Sequence, residues 1–229
     1  MNTGPPQKPS LATTGWRPRR LVCSADEQFP GVGEIPPTAN SSLAFDLEAH
    51  EPIDLVAWTI AHGRRVAELL STYGAVLLRG FRGPVEPAML ADLVRAVAGD
   101  PIAYTERSSP RTQLSAGVYT STDYPADQEI FFHNENSYAA EFPGVLVFAC
   151  RVPASEGGET SLVDCQAVLS RLSEVARTRF ASDGVLYVRR HGPGLGVDWQ
   201  TAYGTGDRDD VERRLAAAGY VVSWRGEQL

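Results

Sequence analysis

Cysteine is scarce in this chain: Cys23, Cys150 and Cys165 are the only three in 229 residues. They are too few and too scattered for a disulfide framework, and the absence of any C-x-x-C pair argues against a cysteine-built zinc site. Long apolar runs are also missing. No stretch approaches the roughly 18–20 residues needed to span a bilayer, and the start of the chain, MNTGPPQKPSLATTGWRPRR, lacks the apolar region of a secretory signal. Nor is there an excess of positive charge. Lys and Arg number 21 against 28 Asp and Glu, a formal net charge of -7. Such a chain repels polyanions, which argues against nucleic acid or an anionic membrane as its partner. Cytoplasmic residence is the simplest expectation from these absences.

What is present is an ordinary globular composition, 43% hydrophobic and 21% charged, long enough for one large domain. Residues 1–40, rich in Pro, Gly, Ser and Thr at their start, read as a disordered leader, and residues 41–229 as the folded domain. Helical spacing of Val56, Ile60, Val66, Leu69 and Leu70 predicts a helix over 52–71, ended by Gly74. A short buried strand follows over 75–79, then a helix over 87–97 that the Gly-Asp-Pro at 99–101 stops. Residues 104–127 read as one long irregular loop, a feature often tied to function. Beyond it the pattern predicts strands over 129–133, 145–151, 160–163, 185–190 and 220–224, with helices over 165–181 and 208–218. Short strands with a helical surround suggest a β-sandwich or open barrel, a scaffold that can hold a small metal site in its mouth.

The informative stretch is FFHNENSY at 131–138. If it is a strand, residues two apart share a face, so His133 and Glu135 can meet one ion together. An imidazole nitrogen plus a carboxylate is the first part of a 2-His-1-carboxylate facial triad. That triad suits Fe(II), because it leaves adjacent positions open for cosubstrate and oxygen. Its single carboxylate leaves the site positively charged, which favours a chelating anionic cosubstrate. By itself H-x-E is a weak signal, since many such tripeptides are solvated strand residues.

Several separated motifs give the signal its context: YGAVLLRGF at 73–81, SPRT at 109–112, STDYPADQ at 121–128, the HNENSY run, and GGETSLVD at 157–164, with Pro143, Phe148, Cys150 and Pro153 between the last two. In this order they resemble the taurine dioxygenase family of Fe(II)/2-oxoglutarate-dependent oxygenases, in its clavaminate synthase-like and syringomycin-biosynthesis-like branch. The resemblance implies an α+β, mainly β fold: a double-stranded β-helix (jelly-roll) core with flanking helices. It implies Fe(II) held by His133 and Glu135, and 2-oxoglutarate as cosubstrate with a carboxylate hydrogen-bonded by Thr160. Without the family, Thr160 reads as a strand residue satisfied by a neighbouring backbone group. The implied reaction is hydroxylation of a small molecule, an amino acid either free or tethered to a carrier protein, in natural-product biosynthesis.

Other residues carry two readings each. Gln128 and Asn136 either orient a polar substrate or make loop hydrogen bonds. Arg79 and Arg111 serve as anion partners or sit in structural ion pairs. Tyr138 and Phe148 read as core or pocket wall, and His50 and His62 as surface residues. Gly157 and Gly158 set a turn and not a phosphate cradle, since no P-loop lysine follows.

The resemblance also implies a second histidine ligand and an arginine for the distal carboxylate of 2-oxoglutarate, both downstream of the glycine-threonine motif. His191, the only downstream histidine, precedes a Gly-Pro-Gly loop and does not match that ligand. The expectation is therefore a domain whose C-terminal strands are missing, completed by a separate C-terminal chain or by further polypeptide. The rival reading is a non-catalytic relative of the fold that binds a partner or small ligand. A cupin-like metal protein fits less well, because cupins carry a tighter histidine cluster.

Overall fold

The computed structural model describes residues 29–38, 43–104, 106, 111–121, 129–192, 194–195, 197–226 and 228–229. Its elements are β1 (Val32–Ile35), β2 (Phe45–Ala49), α1 (Leu55–Tyr73), β3 (Val76–Arg79), α2 (Pro87–Ala98), β4 (Gln113–Ser115), β5 (Val118–Tyr119), α3 (Cys165–Arg171), α4 (Glu174–Asp183), α5 (Trp199–Tyr203) and α6 (Arg208–Ala217).

Helix α1 forms where the spacing predicts it, and its ends have identifiable causes. The Asp54 carboxylate accepts from the Ala57 amide at 2.9 Å, satisfying one of the orphan donors of the first turn. Gly74 adopts φ 81° and returns its amide to the Leu70 carbonyl. The helix carries the chain from β2 to β3, which pair in parallel with Phe45 opposite Val76, while β1 lies antiparallel on the other side of β2. Trp58, Val66 and Leu69 close over this sheet, joining Phe29, Val32, Phe45 and Leu47 in the first core. Helix α2, with Pro87 in its first turn, packs against α1. The approach is close at Gly63, where a Cβ would lie 2.2 Å from the Ala96 carbonyl oxygen.

Residues 29–38 belong to this first unit although they fall within the stretch read as leader; residues 1–28 lie outside the described residues. The loop expected over 104–127 contains a hairpin, β4 and β5, turning at Gly117 with φ 71°. The helix expected over 165–181 is two. Leu172 is extended at ψ 146°, and the Ser173 hydroxyl caps α4 by accepting from the Ala176 amide.

A second core gathers Trp199, Val211 and Leu215 from α5 and α6, with Tyr203, Tyr220, Val222, Trp224 and Leu229 packed around them. His191 and Leu229 exchange two backbone hydrogen bonds, of 2.8 and 3.2 Å, which fasten the end of this unit to the residues before α5.

The strands expected over 129–133, 145–151, 160–163, 185–190 and 220–224 belong to neither sheet. Among the described residues the sheets have three and two strands, and six helices accompany them, so the described architecture is mixed α/β and not mainly β. The five described strands do not by themselves outline a jelly roll. The physical reason is that strand composition specifies a pleated, half-buried surface, while the ladder itself needs a partner strand. Without one, apolar side chains in these segments stay exposed: Phe131 at 76%, Phe148 at 68% and Leu186 at 87%. No described helix is long and apolar enough to cross a membrane.

Candidate metal centre

His133 and Glu135 converge, but a turn brings them together, not a strand. Residues 135–138 form the turn, in which the Ala139 amide bonds the Asn136 carbonyl at 2.9 Å. Asn136 sits in the left-handed region at φ 52° and is buried. Asparagine is among the few residues that tolerate this conformation.

The His133 ring is oriented by its own backbone. Its Nδ1 lies 2.8 Å from the Phe131 carbonyl oxygen. A carbonyl only accepts, so this bond places the proton on Nδ1 and leaves the lone pair on Nε2. Nε2 is 3.8 Å from Oε2 of Glu135. With ligand bonds of about 2.1 Å, two atoms at that separation reach a common ion. A histidine whose second nitrogen is tied to a carbonyl is the usual arrangement at metal sites. Imidazole nitrogen and carboxylate oxygen also suit Fe(II) as a donor set. Among the described residues no group of three or more His, Cys, Asp or Glu is placed to hold a metal.

The Glu135 carboxylate, only 14% exposed, is also held by Arg111, whose Nη2 lies 3.3 Å from Oε1 and 3.4 Å from Oε2. The Arg111 guanidinium stacks 5.2 Å from the Tyr104 ring. Of the two arginines weighed as anion partners, Arg111 therefore faces the candidate centre. Arg79 instead pairs with Asp46 across β2 and β3 at 3.5 Å.

Gln128 lies outside the described residues. The Asn136 side-chain oxygen is 3.3 Å from the Tyr138 hydroxyl, a bond within the turn. Thr160 is exposed in the stretch that leads from Gly157 and Gly158, at φ 67° and 79°, to α3. That stretch ends beside the motif, since Cys165 Sγ lies 3.3 Å from the Asn134 side-chain oxygen. His191 is buried in the second core, with Nδ1 2.9 Å from the Val197 carbonyl and its ring against Tyr203. His62 is not a free surface residue: its ring packs against Phe29 and Trp58 at 5.1 and 5.0 Å. Phe148 is exposed, not core, whereas Tyr138 is partly buried.

Sequence reasoning passed over three residues beside the turn. Glu106 accepts from Arg189 Nη1 at 3.2 Å and from the Tyr220 hydroxyl at 3.0 Å. Burial, reinforced by the Glu106 charge, raises the Tyr220 hydroxyl above its ordinary pKa. These partners lie 83 and 114 residues from Glu106, so no local pattern could have announced them.

An imidazole and a carboxylate two residues apart, close enough to share one ion, match part of the donor set expected of a non-haem iron centre. The chain belongs to the taurine catabolism dioxygenase TauD, TfdA family, whose model matches residues 37–217. It is similar to the dapdiamide synthesis protein DdaC of Enterobacter agglomerans, 33% identical over 206 residues that cover 90% of this chain and 57% of that protein. It is also similar to a clavaminate synthase-like protein of Arabidopsis thaliana, 34% identical over 166 residues, covering 68% of this chain and 50% of that protein. The chain thus spans between 50% and 57% of the length of these relatives. The family resemblance carried by the separated motifs is borne out.

Proposed function

We propose that this chain forms the iron-binding part of an Fe(II)- and 2-oxoglutarate-dependent dioxygenase that hydroxylates an amino acid, free or carrier-tethered, in a biosynthetic pathway. The observation that carries this is the convergence of His133 Nε2 and Glu135 Oε2 at 3.8 Å with the other histidine nitrogen already satisfied. Iron, when bound, supplies oxidation of an unactivated C–H bond by oxygen, with 2-oxoglutarate converted to succinate and CO2. His133 and Glu135 would hold the ion, and Thr160 would hydrogen-bond a carboxylate of 2-oxoglutarate. Gln128 and Asn136 remain the candidates for orienting substrate. The substrate class rests on family membership and on a relative whose name ties it to dapdiamide synthesis.

We further propose that the exposed segments around Phe131, Phe148 and Leu186 pair with strands from polypeptide corresponding to the part of the relatives that this chain does not span, giving the jelly roll. The same polypeptide would bring the remaining histidine and the arginine for 2-oxoglutarate. It would act either in continuation of the chain or as a complementing chain.

The test is succinate release from 2-oxoglutarate with Fe(II), ascorbate and oxygen. The 229-residue chain alone is expected to give background release, and addition of the complementing polypeptide to restore it. His133→Ala or Glu135→Ala in the restored enzyme is expected to abolish release. Full release after either substitution removes the metal assignment.

A further inference from the structure

Among the described residues no backbone ladder fixes the turn that presents Glu135, since residues 129–138 belong to no strand. Side chains from distant parts of the sequence hold it instead. The Tyr138 hydroxyl lies 3.0 Å from the Glu106 carbonyl oxygen, and the Arg189 guanidinium stands 4.3 Å from the centre of the Tyr138 ring. The Glu106 carboxylate takes Arg189 on one side and Tyr220 on the other. Tyr220 completes the circuit, because its hydroxyl oxygen accepts from the Ala140 amide at 2.7 Å. Both ends of this link are chemically consistent. The tyrosine proton goes to the carboxylate, and its lone pair takes the amide of the residue that leaves the turn.

The ion pair inside this network is mostly shielded, with side-chain exposures of 13% for Glu106 and 21% for Arg189. Charge-assisted bonds in such surroundings are stronger than on an open surface, and removing one partner leaves the other buried and uncompensated. The network therefore grips the turn at Tyr138 and Ala140, within five residues of Glu135.

We infer that Glu106 is a positioning residue for the candidate metal centre: through Tyr138, Arg189 and Tyr220 it holds the 135–140 turn in the geometry that aims Glu135 at His133. The inference rests on the metal-binding reading above, and it ties that centre to the second core, which supplies Tyr220. Glu106 itself touches neither His133 nor Glu135 through any bond described, so it acts through the turn.

The experiment uses the full 229-residue chain, with Co(II) as a spectroscopic stand-in for Fe(II) and hydrogen exchange of the 134–140 peptide as a metal-free readout. Glu106→Ala is expected to speed exchange in that peptide and to weaken Co(II) binding about tenfold, the lower end of what loss of outer-shell support costs. Glu106→Gln keeps an acceptor for Tyr220 and is expected to recover much of both. Tyr220→Phe, which removes the hydroxyl that joins the Glu106 carboxylate to the Ala140 amide, is expected to speed exchange at that amide. Exchange unchanged in Glu106→Ala overturns the network. Faster exchange with unchanged Co(II) affinity and spectrum overturns the positioning role, leaving a purely structural tie. Failure of the parent chain to bind Co(II) in a His133-dependent way is a different result: it overturns the metal reading, and the positioning role with it, while the exchange data still report on the turn.

Discussion

Among single residues, Asn136 has the most influence on the shape of the candidate centre, because its backbone turns the chain next to Glu135. On a strand, the two-residue spacing of His133 and Glu135 would put both on one face. A turn with Asn136 at φ 52° performs the same convergence. Its signal was present in the text Asn134-Glu135-Asn136-Ser137, which is rich in turn formers, although the apolar pair before it favoured a strand. The left-handed conformation costs most non-glycine residues about 1–2 kcal/mol. Asn136→Ala is therefore expected to lower stability by about that amount and to loosen the turn. Asn136→Gly loses the contact with Tyr138 yet fits the backbone, and should be the milder change. Thermal denaturation of the two variants measures the order, and an alanine variant as stable as the glycine one refutes the strained-turn account. Glu106 was not legible, because its meaning depends on Tyr138, Arg189 and Tyr220, none of them near it in sequence.

At the scale of elements, legibility followed how local the determinants are. Helices α1, α2 and α6 were read nearly to their ends, since a cap, a glycine or a proline marks each boundary within one turn. The break between α3 and α4 also had a local mark in Ser173, followed by Glu174, which the apolar residues on either side masked. Strand β1 was missed because VGEI is only four residues long and contains Gly33. The strands expected after residue 128 were legible as composition but not as pairing, because a ladder is made with residues far away in sequence. Close helix packing was not legible at all, as Gly63 shows. In a helix interior, glycine to alanine ordinarily gains about 1 kcal/mol. Here a Cβ would lie 2.2 Å from the Ala96 carbonyl oxygen, in the backbone of α2. Gly63→Ala is expected to separate α1 from α2 and to destabilise the first core by about 1–3 kcal/mol. Urea denaturation monitored by circular dichroism decides the sign, and a stabilised variant would mean that the two helices are not in contact there.

At the scale of the whole molecule, the two cores differ in what they bury, and this sets how they should fail. The first is built from aliphatic, phenylalanine and tryptophan side chains around Leu47 and Leu69. The second packs Tyr203 and Tyr220 beside Trp199 and Trp224. Burial raises both tyrosine hydroxyls above the ordinary value of 10.0; at Tyr220 the Glu106 charge adds to the effect, while at Tyr203 the charge of Arg189 opposes it. A group whose folded-state pKa is raised stabilises the fold fully below its unfolded value, and that contribution is lost as pH rises through the folded one. The alkaline limit should therefore fall on the second core first, beginning above pH 10.0. Chain carrying fluorinated tryptophan allows the two cores to be followed separately by fluorine NMR, since Trp58 reports the first and Trp199 and Trp224 the second. The signals of Trp199 and Trp224 are expected to collapse toward their unfolded positions while that of Trp58 keeps its folded shift. Loss of the 135–140 turn, followed by fluorine on Tyr138, should accompany the second core, because Tyr220 is shared between them. Simultaneous collapse of the Trp58, Trp199 and Trp224 signals would show that the cores unfold as one unit, and earlier loss of Trp58 would show that tyrosine burial does not set the alkaline limit.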